Sequence, residues 1–198
     1  MNFLNIVLIL FLIMDPIGNI ASYLTMTKGL DPKRQQWIIF REMLIALAVM
    51  SVLYLVSGYL FSFLSLSEAS ISLSAGLILF LVSIQILFPE PTSLRANLPP
   101  GEPFIFPLAI PLIAGPGLMA TILLFSNLSA YRAVMWPAIF LAWLASGIIL
   151  YFSPAIKKVL GKSGLIASER LIGMVLVLLA VQRFLEGILA FWTQYHPV

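Results

Sequence analysis

Cysteine is absent from this chain, and histidine occurs once, as His196 near the C-terminal end. A disulfide framework, a thiolate metal site and iron–sulfur ligation are therefore excluded, and zinc or haem sites built on histidine are not expected. Charge is scarce too: Asp, Glu, Lys and Arg make up 10% of the 198 residues. Apolar residues fill the space, at 61% of the chain with a mean hydropathy of +1.06. Apolar runs of about twenty residues, long enough to cross a bilayer as a helix, recur from end to end and leave no room for a separate water-soluble domain. The expectation is a single membrane domain over 1–198 with the lipid bilayer as its partner. The net charge of +3 does not point to nucleic acid, because the basic residues are confined to short loops and span ends, where they report topology. The first fourteen residues carry no basic leader and run into Asp15-Pro16 rather than a small-residue cleavage site. They read as a first span and not as a removed signal peptide.

Breaking the chain at its polar and Pro/Gly-rich clusters predicts six spans, near 3–26, 37–61, 71–88, 104–125, 133–152 and 171–192. Nine of the eleven basic residues then fall on one side: Lys28, Lys33, Arg34 and Arg41 around loop one, Arg95 in loop three, and Lys157, Lys158, Lys162 and Arg170 around loop five. Arg132 stands alone in loop four, and Arg183 lies within span six. The positive-inside rule places both termini outside the cytoplasm. Between spans three and four, residues 89–103 contain five prolines, which remove N–H donors and fix φ. This segment links a first half, 1–88, to a second, 104–198.

The halves resemble each other. An offset of ninety-seven residues sets Gly76 on Gly173, Leu79 on Leu176, Leu81 on Leu178 and Gln85 on Gln182, and a similar offset sets Pro16 on Pro116. Three spans per repeat is an odd number, so the copies must lie upside down relative to each other, about a pseudo-two-fold axis in the membrane plane. The predicted fold is thus an all-α polytopic membrane protein of six transmembrane helices, arranged as two inverted three-helix repeats with helices one and four broken. Small residues recur at seven-residue spacing in both copies, as Ala69, Gly76 and Ser83 and as Gly173, Ala180 and Gly187. They predict a seam of close helix contact, since small side chains let backbones approach where lipid supplies little hydrophobic drive.

The breaks themselves are Met14-Asp15-Pro16-Ile17-Gly18-Asn19 and Ile113-Ala114-Gly115-Pro116-Gly117. Non-helical backbone at membrane depth survives only where protein or a water-filled cavity satisfies it, and a broken helix in each half marks a binding site near the midplane. The candidate substrate-binding residues are Asp15, Pro16, Gly18, Asn19, Gly115, Pro116, Gly117 and Thr121. A helix restarting after Pro16 offers N–H groups and the positive end of its dipole to an anion. Gly18 and Gly117 allow the backbone close to a ligand, and Asn19 offers amide donors and an acceptor. Asp15 is the one acid well inside an apolar run. It serves either as an N-cap or as the group that holds a substrate ammonium or a coupling proton, roles that are compatible. Gly115 stands at its matching position, so any charged role is asymmetric, which suits a zwitterion. The two breaks are expected to face each other across a polar cavity, with Thr25 and Thr121 as pocket hydroxyls.

Other polar residues receive structural readings. Gln85 and Gln182 are expected to bond between helices, Arg183 and Glu186 to pair on one helix, and Arg41 and Glu42 to snorkel at the cytoplasmic surface. Glu68 and Ser168-Glu169 read as helix-start acids, and Trp37, Trp136 and Trp192 as an interfacial belt.

At these residues the chain resembles the MarC family of bacterial inner-membrane proteins. The family's D-P-x-G-N element is matched by Asp15-Pro16-Ile17-Gly18-Asn19, and its P-x-A-x-P-x-x-x-G-P element by Pro107-Leu108-Ala109-Ile110-Pro111-Leu112-Ile113-Ala114-Gly115-Pro116. The similarity extends to Glu102-Pro103-Phe104 and to Glu169-Arg170-Leu171-Ile172-Gly173, and covers essentially the whole chain. The resemblance implies six spans with both termini periplasmic in the cytoplasmic membrane. Some members look like transporters of small neutral amino acids such as alanine and glycine, and the family looks distantly related to LysE-type exporters. Its name's link to antibiotic resistance is not carried over as a function.

The leading expectation is a secondary transporter of a small neutral amino acid, working by alternating access. No cofactor is expected, and H+ and Na+ remain open as coupling ions, as does oligomeric state. A non-transporting membrane regulator is the alternative. An intramembrane enzyme is disfavoured, because Asp15 has no second aspartate within a span and no histidine lies in one. A channel lacks visible charge rings or a carbonyl-filter motif.

Overall fold

The computed structural model describes residues 3–64, 67–88, 104–127 and 132–195. The link 89–103 and His196 lie outside them. The regular structure of the described residues is helical: α1 (Phe3–Met14), α2 (Pro16–Met26), α3 (Pro32–Leu64), α4 (Glu68–Leu87), a π-helical turn (Leu108–Ile113), α5 (Pro116–Asn127), α6 (Arg132–Tyr151) and α7 (Ser153–Tyr195). Five stretches are long and apolar enough to cross a membrane: Phe3–Met26, Pro32–Leu60, Ala69–Leu87, Ala133–Tyr151 and Ser153–Thr193. The remaining predicted span, the fourth at 104–125, is divided between the π turn and α5. The twelve residues of α5 reach about 18 Å at the helical rise, short of a hydrocarbon core of about 30 Å.

Both interruptions follow from proline. Asp15 adopts a left-handed conformation, φ 43 and ψ 59, and Pro16 opens α2 at a position where its missing N–H costs nothing. In the second half Ile110 is extended, φ −131 and ψ 126, because the ring of a following proline disfavours the helical region for the residue before it. The backbone there takes up five-residue bonds instead: Ile110 N to Ile105 O at 3.0 Å, Leu112 N to Pro107 O at 3.1 Å and Ala114 N to Ala109 O at 2.8 Å. The Phe106–Pro107 peptide is cis.

Burial separates the elements by role. The interrupted stretch Phe3–Met26 is 61% buried over its most apolar window, whereas the windows of the other four candidates are 22% or 33% buried. The broken helix is therefore central, and the unbroken ones turn apolar flanks outward. Leu55, Tyr59, Phe63, Leu178 and Leu189 are all exposed, a surface that suits lipid and not water.

The predicted seam exists between α4 and α7, where all six small residues are buried. A Cβ on Gly76 would stand 2.6 Å from Phe184 N, one on Gly187 would stand 2.7 Å from Leu73 N, and one on Gly173 would meet Ile86 and Leu87 side chains at 3.0 Å. Positions rise along α4 as they fall along α7, so the two helices run antiparallel.

Two sequence readings change here. The stretch read as loop five is helical on both sides of a kink at Gly161, whose φ of 64 and ψ of −177 suit a residue without Cβ. In consequence Glu169 and Arg170 lie well inside α7 and not at a helix start. Glu68 does open α4, behind a Ser67 cap that accepts from Ser70 N at 3.1 Å.

Candidate functional site at the two helix breaks

The site starts from Asp15, 1% exposed at the turn between α1 and α2. Its Oδ1 accepts from Gly18 N at 3.1 Å, so the carboxylate caps α2 from within the core. The anion-favouring start of α2 is thereby occupied by the chain's own acid. A Cβ on Gly18 would collide with Asp15 Oδ2 and stand 2.8 Å from Glu169 Oε1 on α7. Two carboxylates therefore flank one glycine, and any larger residue there displaces one of them.

Asn19 joins the breaks. Fully buried, it donates from Nδ2 to Met14 O at 2.9 Å and to Leu112 O at 3.0 Å. The first carbonyl ends α1 and the second lies in the π turn ninety-three residues away, so one side chain satisfies orphan acceptors on both interrupted elements. Its Oδ1 is buried with no hydrogen-bond partner among the described residues. The breaks thus meet by direct contact at this point, not across open space.

In the second half Pro116 opens α5 and is exposed, Gly115 is half-buried with its carbonyl accepting from Met119 N at 2.9 Å, and Ala114 is buried. Gly117 faces Val82 of α4, whose Cγ2 would lie 2.7 Å from an added Cβ. Its lack of a side chain serves helix packing. Thr121 is buried and donates to Gly117 O at 2.8 Å, while Thr25 is exposed and donates to Ala21 O, which removes it from the pocket. Gly115 stands before Pro116 where Asp15 stands before Pro16, so the residue preceding α5 supplies no carboxylate of the kind that caps α2.

Near the core, two acids lie elsewhere than the sequence reading put them, and Trp143 was not singled out. Glu169 faces Gly18, and the signal was its position four residues before seam residue Gly173, on the same helical face. Glu42 is 0% exposed, not snorkelling: Arg41 Nε and Nη2 donate to its Oε1 at 3.0 and 2.8 Å. It falls on the α3 stripe of Ile38, Ile39, Met43 and Ala46, all buried. Trp143 donates from Nε1 to Met43 O at 2.7 Å, tying α6 to α3. Gln85 and Gln182 are exposed, and Gln182 bonds to Glu186 on its own helix, not across helices. Arg183 pairs with Glu186 at 2.7 Å, as expected, and also lies 4.9 Å over the Phe125 ring of α5.

Comparisons with known proteins show the family. The family model described as MarC family integral membrane protein matches residues 1–192. The UPF0056 inner membrane protein YhgN of Escherichia coli (strain K12) is 43% identical over 185 residues, covering 91% of this chain and 92% of the relative. A UPF0056 membrane protein of Buchnera aphidicola subsp. Schizaphis graminum is 40% identical, covering 93% and 95%, and one of Chlamydia pneumoniae is 33% identical, covering 93% of each. No solved structure gives a significant match. With a family model spanning nearly the whole chain and relatives this similar over nine-tenths of their length, the chain belongs to the MarC family of integral membrane proteins.

Proposed function

We propose that this chain is a secondary transporter of a small neutral amino acid, or a similar zwitterion, across the bacterial cytoplasmic membrane. The observation that carries the reading is Asn19 at the junction of both breaks, fully buried with an Oδ1 that has no partner among the described residues. A buried acceptor without a donor costs about 1–3 kcal/mol, and an ammonium group supplies what it lacks. Asp15 and Glu169 add negative charge beside Gly18, while the α5 start adds N–H groups and the positive end of a dipole for a carboxylate. One half thus suits the substrate's cation and the other its anion.

Six spans in two inverted repeats, with periplasmic termini, fit the same reading. Supporting the inversion, the offset that maps Gly76 on Gly173 also maps Phe184 on Leu87, and Gly76 meets Phe184 while Gly173 meets Leu87. Such reciprocal contacts are what a two-fold relation between α4 and α7 generates. The name of the Escherichia coli relative, an inner membrane protein, supports the location. The test is uptake or counterflow of labelled alanine, glycine and serine in proteoliposomes. Asp15→Asn is expected to weaken substrate affinity by about tenfold or more, since losing one partner of a buried charge pair costs about 2–5 kcal/mol. Wild-type protein that moves no member of a broad metabolite panel above empty vesicles overturns the reading and favours a membrane regulator.

A further inference from the structure

We propose that the outward face of α7 is the contact between two copies of this chain, held at mid-membrane by reciprocal hydrogen bonds between their Gln182 side chains. The inference goes beyond the transport reading and needs no substrate. Leu171, Val175, Leu178, Gln182, Leu185 and Leu189 are all exposed, and alternating steps of four and three residues set them in one stripe, which Trp192 extends. Each of the buried seam residues Gly173, Ala180 and Gly187 stands two positions before a member of this stripe. Two residues turn a helix by about 200°, so the stripe points away from α4, across the helix from the seam.

Lipid covers leucine well, but it does not serve Gln182. Ten residues of helix, about 15 Å, separate Gln182 from Trp192, the predicted interfacial aromatic, and half of a hydrocarbon core is about 15 Å. At that depth Gln182 Nε2 donates to Glu186 Oε1 at 3.1 Å, and Arg183 Nη1 donates to Glu186 Oε2 at 2.7 Å. Arg183 is buried over Phe125, whereas the Glu186 side chain is 42% exposed. Polar and ionisable groups within a membrane face protein or a water-filled cavity and not acyl chains, so this network marks a covered surface.

The donor and acceptor balance selects the cover. A glutamine amide has two N–H donors and one carbonyl oxygen. Glu186 takes one N–H, which leaves a donor and the carbonyl oxygen unused among the described residues. A second Gln182 offers the same two groups in reverse, so two copies satisfy each other, while acyl chains offer neither. Copies inserted in one orientation bring their α7 helices together in parallel, about a two-fold axis along the membrane normal. In a parallel pair with this spacing each stripe residue meets its own counterpart, and one polar layer fixes the register between leucine layers. Gln182 is that layer, with Leu178 and Leu185 on either side and Glu186 at its flank.

The chain has no cysteine, so single-cysteine variants of the full chain test the contact in native membranes. Under copper–phenanthroline oxidation Leu178→Cys, Gln182→Cys and Leu185→Cys are expected to form dimers at twice the chain mass of 21.9 kDa, whereas Leu81→Cys, exposed on α4, is expected to stay monomeric. A disulfide requires Cα atoms within about 7 Å, so these products report stripe against stripe. A second measurement leaves the stripe free of cysteine: energy transfer between copies labelled at Ser163→Cys, diluted in phosphatidylcholine–phosphatidylglycerol liposomes. Adding Gln182→Leu is expected to raise the protein density at which copies dissociate by about tenfold, in keeping with the worth of one or two interhelical hydrogen bonds in a membrane, and Gln182→Asn, which keeps the amide, to raise it less. Monomers at all three stripe positions, cross-linking to a protein of another mass, or dimers from L81C as abundant as those from Q182C overturn the proposal. Association of Q182L as tight as that of the glutamine-bearing chain overturns it as well.

Discussion

Asn19 ties the two breaks together, because backbone carbonyls from both converge on it. Met14 O and Leu112 O both lie within 3.0 Å of Nδ2, and the opposite amide orientation would set oxygen against oxygen twice. Asn19→Ala therefore strands two buried carbonyls. It is expected to destabilise the protein by about 1–3 kcal/mol, a range that allows for the modest worth of side-chain hydrogen bonds inside membranes. Asn19→Asp keeps the shape but replaces the donor with an acceptor and should lower the thermal unfolding midpoint in detergent at least as far; an N19D midpoint equal to wild type rules out the donor role. The sequence identified Asn19 as a candidate from its place after Asp15-Pro16, yet nothing local could reveal that its partner lies in the π turn. Glu42 was misread for a related reason. A neighbouring Arg–Glu pair near a basic loop looks like a surface pair, and only the register of α3 against α5 and α6 turns the carboxylate inward.

Elements follow the same division between local and non-local information. Both breaks and the α4–α7 seam were legible, because proline, glycine and a seven-residue spacing act through backbone geometry that any neighbour must respect. The continuity of α7 was not, since lysines and Gly161 resemble a loop while one residue's dihedrals suffice to absorb the kink. The seam supports a graded prediction. A methyl group at Gly76 or Gly187 meets partner backbone at 2.6–2.7 Å, which yields only if the helices separate, whereas at Gly173 it meets side-chain carbons at 3.0 Å. Gly76→Ala and Gly187→Ala should each cost about 1–3 kcal/mol as overpacking, and Gly173→Ala less. Thermal unfolding of the three variants in one detergent checks the order, and a Gly173 variant that is the least stable of the three contradicts the packing described.

For the whole molecule, the decisive property is which way the chain faces. The exposed Lys157, Lys158 and Lys162 lie in the first turns of α7, and the positive-inside rule predicts a cytoplasmic location for them. The stretch Ser153–Thr193 is long and apolar enough to cross, so Thr193 is expected on the periplasmic side. Absence of native cysteine makes this directly measurable, because each introduced thiol is the sole target. Ser163→Cys and Thr193→Cys replace exposed residues at the two ends of the crossing. A membrane-impermeant maleimide applied to spheroplasts should label T193C at once and S163C only after permeabilisation. The reverse pattern inverts the topology while preserving the crossing; labelling of both from one side removes the crossing itself, and with it the odd number of spans per half on which the proposed inversion rests.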